Sequence, residues 1–352
     1  MMAERRLAIG IAVATTLVFS ASLVAQKKED KKLEDSQKKE LQTLVKLVDE
    51  VSAGQGQQPN DLSLSWAHQD FLKAQSNKEY VPFIVTIDPA KVGSPTVALY
   101  WRVVAKNAAP EPAADGKKDD KSKDKKGKEA FAYEDVTFVP VTPGQTGPMR
   151  LARSITVSAG TYDAYVVVKE AASQQKGAPA AKMSVMKQTL NVPDFWNGEL
   201  STSTVIVAQR IDPLPAPLTP QQQMDRPYAL GAMEIVPHTD MALSKKTELS
   251  TYMLIYNAKT DGANKPDVLV EYSFYSKAGG AEKFFNKTSP QNLNAQTLPP
   301  QFDMTLGHQL QTGQAVPLAS FPEGDYRLEI KVTDKLSNKT LTRDVSFTVT
   351  AS

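Results

Sequence analysis

Apolar residues alternate with period two in paired segments, and the pairs recur at a domain-sized interval, which restricts this chain to a tandem β architecture. Val81, Phe83, Val85 and Ile87 alternate along 80–88, and Val97, Leu99, Trp101 and Val103 along 96–105. Residues two apart share one face of a strand, so β-branched and aromatic residues at that spacing predict half-buried strands. The pattern returns with Tyr252, Leu254 and Tyr256 along 251–257, and with Val268, Val270, Tyr272 and Phe274 along 267–275. Pro95 and Pro266 stand at the same place ahead of Val97 and Val268. This spacing puts Tyr252, Tyr256 and Tyr272 on core faces.

A closer echo lies near the end of each copy. Gly160-Thr161-Tyr162 leads into Ala164, Val166 and Val168, and Gly324-Asp325-Tyr326 leads into Leu328, Ile330 and Val332. Each is followed by one more alternating run, 185–192 in the first copy and Val345, Phe347 and Val349 in the second. Self-similarity at this interval indicates tandem copies of one fold. The Gly permits the turn, and the Tyr buries its ring while its hydroxyl reaches back to backbone, as in the tyrosine corner of immunoglobulin-like sandwiches. Gly160, Tyr162, Gly324 and Tyr326 are therefore structural candidates. The predicted fold class is all-β: two tandem immunoglobulin-like antiparallel β-sandwiches, over 59–200 and 201–352, preceded by a signal peptide and a short amphipathic helix.

Arg5 and Arg6 precede an apolar run, Leu7 to Phe19, which ends in the small residues Ser20, Ala21, Ser22 and Ala25 before a charged stretch. These are the three parts of a Sec-type signal peptide, with cleavage expected after Ala25 and a periplasmic or secreted destination. The competing reading is an uncleaved anchor, because the run reaches the lower end of a membrane span. In the charged segment 26–58, Leu41, Leu44, Val48 and Val51 form the apolar stripe of a helix, opened by Ser36 and closed by Gly54 and Pro59. That stripe docks either on its own neighbouring domain or on another chain. The chain has 352 residues and no cysteine. Disulfides, thiolate metal sites and cysteine nucleophiles are thereby excluded, and the sandwiches depend on burial alone.

Two segments read as unpacked. Residues 107–129 are Ala/Pro-rich and then Lys-rich, with too little apolar surface to offset ordering, and predict a disordered insertion. Residues 212–224 hold Pro213, Pro215, Pro217 and Pro220 and predict an extended spacer.

Thr202–Arg210, Pro227–Pro237, Glu248–Asn257 and the ending Phe321–Asp334 together resemble an exported bacterial module. It is similar to the acidobacterial-type β-sandwich region associated with GWxTD-domain and von Willebrand A-related secreted proteins, over about 201–350. No Gly-Trp-x-Thr-Asp stretch occurs here. The resemblance implies an exported sandwich and transfers no catalytic residue or ligand.

The residues offer little chemistry. His68, His238 and His308 are the only histidines and lie far apart; His68 and His238 each precede an aspartate by two positions, Asp70 and Asp240. No phosphate loop, nucleophile elbow or metal motif occurs, so no catalytic, cofactor or metal residue is assigned. Gly279-Gly280 and Asp261–Asn264 read as turns. A formal charge of +2 argues against nucleic acid. The expected function is a non-enzymatic, exported binding, scaffolding or surface-assembly protein whose partner is a protein or a cell-envelope component, with membrane contact only through an uncleaved signal anchor. The alternatives are a carbohydrate-binding accessory protein and a carboxylate-dependent hydrolase.

Overall fold

A computed structural model describes residues 35–106, 131–173, 177–278 and 280–351. The signal peptide and its cleavage site, and the Lys-rich insertion 107–129, lie outside the described residues. The chain divides into two compact units between Asp194 and Phe195. Both are built from sheets whose described pairings are antiparallel but for one, and the protein is an all-β pair of sandwiches with a short helix ahead of them.

The N-terminal unit contains α1 (Asp35–Ser52) and strands β1 (Ser65–Gln69), β2 (Leu72–Lys73), β3 (Glu79–Ile87), β4 (Thr96–Ala105), β5 (Tyr133–Pro140), β6 (Met149–Val157), β7 (Gly160–Glu170) and β8 (Met183–Val192). One sheet centres on β3, which pairs β6 along one side and β1 and β2 along the other; the second runs β5-β4-β7-β8. Alternation builds the core between them. Phe83 and Val85 from β3 meet Leu99 and Trp101 from β4 and Ala164 and Val166 from β7.

Ser36 lies inside α1 rather than ahead of it. The helix buries Leu44, Val48 and Val51 on the outer face of the second sheet, against Ala98, Tyr100, Tyr165, Val167 and Val185. These strands are covered on both faces, which is why β7 reads Tyr-Asp-Ala-Tyr-Val-Val-Val rather than as a strict alternation.

The C-terminal unit contains β9 (Ser201–Thr202), β10 (Ile206–Pro213), α2 (Pro220–Asp225), β11 (Ala229–Leu230), β12 (Met233–Pro237), β13 (Ala242–Ser244), β14 (Glu248–Tyr256), β15 (Val268–Ala278), β16 (Ala281–Lys287), β17 (Gln291–Leu293), β18 (Leu310–Thr312), β19 (Ala315–Pro317), β20 (Gly324–Asp334) and β21 (Lys339–Thr350). One sheet runs β11-β12-β10-β14-β18, with β9 and β19 also on β14; the other runs β13-β21-β20-β15-β16, with β17 on β15. Only β13 lies parallel to its partner, β21, among the described pairings. Val270, Tyr272 and Phe274 of β15 and Leu328 and Ile330 of β20 meet Met253 and Ile255 of β14 in the core.

Two expectations are corrected here. On β14 the core-facing residues are Met253 and Ile255, so Tyr252, Leu254 and Tyr256 occupy the opposite face, where they are also buried. A run that is apolar at every position does not mark its core face, and a one-residue error exchanges the two sides. The Pro-rich segment is not extended throughout, because Pro220–Asp225 forms a short helix. Thr219 caps it, Pro220 enters its first turn and Gln222 returns the capping-box bond, three signals that together outweigh the proline content.

Candidate functional site

The two Gly-x-Tyr turns are built alike. The Tyr162 hydroxyl donates to the Ser158 carbonyl at 2.9 Å, and the Tyr326 hydroxyl to the Pro322 carbonyl at 2.8 Å. Gly160 and Gly324 open their strands at φ +150° and +140°, a conformation that a Cβ strains. Tyr326 sits in an aromatic cluster, stacked on Phe347 at 5.5 Å with Phe321 at 5.2 Å. Burial raises the Tyr326 phenol above its ordinary value. In both units the hydroxyl thus ties its strand back to the segment that precedes the glycine.

One step beyond each tyrosine, the outward position carries a charge centre. Asp163 binds Lys187 at 2.7 Å and Lys106 at 3.4 Å and accepts from the Thr189 hydroxyl at 2.9 Å. Burial opposes its ionisation, but the bonds from Lys187, Thr189 and Lys106 outweigh it and hold the carboxyl below its ordinary value. Arg327 is the reverse case, reaching Glu282 at 3.0 Å, Glu329 at 2.9 Å and Asp344 at 2.6 Å, with its guanidinium 4.5 Å from the Tyr275 ring. The bond from Arg327 is the main cause that lowers the Glu282 carboxyl.

The helix-covered face is held by two buried cations. Arg102, whose side chain is 3% exposed, binds Asp49 of α1 and, at 2.9 Å, Glu134 of β5, with Phe131 stacked 3.8 Å from its guanidinium. The Tyr100 hydroxyl donates to the same Glu134. Lys169 binds Glu40 of α1 at 2.8 Å. The sequence shows the helix stripe but not these anchors: Arg102 stands between Trp101 and Val103, whereas Lys169 is followed by Glu170 and carries no such mark.

The histidines do not converge. His68 bonds Asp70 at 2.7 Å, whereas Asp240 accepts from the Ala242 amide and His308 accepts the Asp303 amide on Nδ1. Asp261 accepts from the Ala263 and Lys265 amides on its side chain and from the Asn264 amide on its carbonyl, so the turn expected over 261–264 forms. The second turn, at 279–280, contains Gly279, which lies outside the described residues; Gly280 has φ +81° and β16 follows it. Among the described residues, no group of three or more metal-binding side chains occurs. Among them too, no helix is long and apolar enough to cross a membrane.

Two surfaces stand out on the C-terminal unit. β16 pairs with β15 and carries Phe284, which is 58% exposed and stands edge-on to Tyr275 at 6.0 Å. Nearby, a shallow cleft of about 360 Å³ is lined by Asp240, Lys277, Asp325, Ser346 and Thr348. The Thr348 hydroxyl donates to Asp325 at 2.6 Å, so part of that polar lining is satisfied internally.

No family model matches the chain. No curated protein matches it. Among solved structures it is similar to a mutant of Salmonella alpha-2-macroglobulin, at 11% identity and a TM-score of 0.20, covering 85% of this chain and 17% of that one. Similar matches are Salmonella alpha-2-macroglobulin reacted with methylamine, at 12% identity, TM-score 0.19 and coverages of 85% and 17%, and the native conformation of E. coli alpha-2-macroglobulin, at 8% identity, TM-score 0.23 and coverages of 83% and 15%. The chain thus spans less than a fifth of each. Scores this low give the likeness no bearing on fold or function.

Proposed function

We propose that the chain is an exported, non-catalytic binding and assembly protein whose two immunoglobulin-like units present edge strands and outer sheet faces to a protein partner or a cell-envelope component. The observation that carries this reading is the exposed Phe284 on edge strand β16. An unpaired strand edge with an aromatic side chain in solvent is a surface for docking rather than for chemistry. The tyrosine hydroxyls and the buried charges meanwhile serve to hold turns and layers. A photo-crosslinking residue in place of Phe284, in living cells, combined with fractionation and intact mass, tests this. The expected result is a chain beginning at Gln26, outside the cytoplasm, that forms a defined adduct which vanishes when the probe is moved to Thr342. A cytoplasmic chain beginning at Met1 contradicts it.

The pairing of Phe284 with Tyr275 gives carbohydrate binding a second claim on the same surface, since sugar rings pack on exposed aromatic faces. Retention on insoluble cell-wall polysaccharide that is lost in Phe284→Ala would favour that reading.

A further inference from the structure

The surface beneath α1 is an interaction face in its own right. The residues it contributes, Ala98, Tyr100, Tyr165, Val167 and Val185, belong to a cluster that shares no member with the core between the two sheets. The sandwich core therefore stays packed when α1 lifts, and helix and face form a separate cooperative layer. An amphipathic helix lying in an apolar groove is also a common mode of recognition between chains.

Two features of this layer identify its occupant. Arg102 and Lys169 have side chains only 3% and 10% exposed, and α1 supplies a carboxylate to each, Asp49 and Glu40. A helix without carboxylates at those two positions leaves one or both cations buried without that partner, so the face selects the α1 sequence. The connection beyond the helix is also suited to a second geometry. Residues 53–58 are all exposed, and Gly54 and Gly56 take φ +71° and +86°. The amides of Ala53, Gly54 and Gln55 cap the last turn of α1 on the Asp49, Val51 and Glu50 carbonyls, and the chain joins the sheet at Pro59, whose carbonyl accepts from Val185, and at Asn60, which bridges to Ser184. With those capping bonds released and the segment extended, residues 53–58 reach about 20 Å. A helix seated on the sheet of another copy would keep every docking contact, and only the connection would change.

We propose that α1 is an exchangeable element, and that two copies of this chain pair by seating each α1 on the other copy's β4–β7 face. This rests on the assembly reading above and names one way in which it operates.

Reciprocal charge reversal tests it on the full chain. In Glu40→Lys the helix is repelled by its own Lys169, and in Lys169→Glu the sheet is repelled by its own Glu40. Exchange between the two variants restores opposite charges at both sites. The expected result is that each variant alone stays mostly monomeric by light scattering, while an equimolar mixture doubles in mass. A second measurement uses wild-type chain mixed in ordinary and nitrogen-15 forms, incubated together and treated with a carbodiimide, which joins Glu40 to Lys169 as an amide with loss of water taken up by the reagent. Mixed-isotope crosslinked peptides support exchange. A mixture of the variants that remains monomeric overturns it, as does a dimer whose Glu40–Lys169 links are all of one isotope. In that last case pairing occurs through another surface, and the assembly reading survives without exchange.

Discussion

The N-terminal and C-terminal units use the same strand arrangement around the same Gly-x-Tyr turn, yet they treat the outer face of the equivalent sheet in opposite ways. In the first, β4 and β7 present Tyr100, Tyr165 and Val167 outward, and α1 covers them. In the second, β15 and β20 present Glu271, Arg327, Glu329 and Lys331 outward: Lys331 pairs with Glu271 across the strands, and Arg327 pairs with Glu329 along β20 and with Glu282 of β16. The position just after the tyrosine shows the inversion most clearly: Asp163 among lysines in one unit, Arg327 among carboxylates in the other. A sandwich core thus leaves the outer face free to be written as a docking surface or as a solvated charge lattice. What decides is whether the outward positions of β7 and β20 are apolar or charged.

The sharpest way to break this comparison is to remove the two arginines in turn. Arg102→Ala strips the counter-charge from Asp49 and Glu134 under a helix and is expected to cost about 3 kcal/mol, the low end for a buried pair because Asp49 remains half in water. Arg327→Ala acts on an exposed network and is expected to cost about 1 kcal/mol or less. Chemical denaturation monitored by hydrogen exchange in each unit reads both; equal losses would erase the distinction between the two faces.

Gly313→Ala is expected to have a comparably large effect confined to the C-terminal unit. A Cβ there would stand 2.1 Å from the Thr251 carbonyl oxygen, so the backbone must shift, at about 3 kcal/mol. Exchange protection should fall across β14 and β18 and stay unchanged in β3 and β4; unchanged protection everywhere would mean the strands part without cost.

Tyr162→Phe and Tyr326→Phe each remove a hydroxyl that bonds a backbone carbonyl, and each is expected to cost on the order of 1–3 kcal/mol. Similar losses in the two units would show that the turns are energetically equivalent. No measurable loss at Tyr326 would sink the corner assignment there.

The smallest effect concerns pH. The Asp163 carboxyl is held below its ordinary value, so its contribution is present above that value and is lost as pH falls through the lowered one. Asp163→Asn should therefore cost under about 1 kcal/mol at neutral pH, and the difference from wild type should shrink as pH falls through the lowered value. A difference that persists in strong acid would show that the contact does not depend on charge.

Much of this was legible from residue order. The limits of β4 and the strands after Gly160 and Gly324 follow from alternation, and the stripe of α1 follows from its 3-4 spacing. The failures share one physical cause. On β14 the run Thr251–Tyr256 is buried on both sides, so periodicity carried no information about which side faces the sandwich core. On β7, Tyr165 and Val167 interrupt an otherwise alternating pattern, and that interruption was the trace of the α1 layer. Arg102 and Lys169 could not be assigned as anchors from sequence, because their partners come from segments distant along the chain. The Phe284 surface was hidden by its neighbour: Phe285 packs against Phe321 while Phe284 faces solvent, and a register shift at this point of the β15–β16 pairing decides which is which.

The claim that one sheet face is covered and its counterpart solvated is tested most directly by placing the same polar probe at equivalent outward positions. Val167 and Lys331 lie equally far beyond Tyr162 and Tyr326 on β7 and β20. Val167→Asn should destabilise the N-terminal unit by about 3 kcal/mol, through lost packing and an amide buried beneath α1. Lys331→Asn should change the C-terminal unit by less than about 0.5 kcal/mol. Equal and small losses at both positions, measured by denaturation of the full chain, would contradict the account.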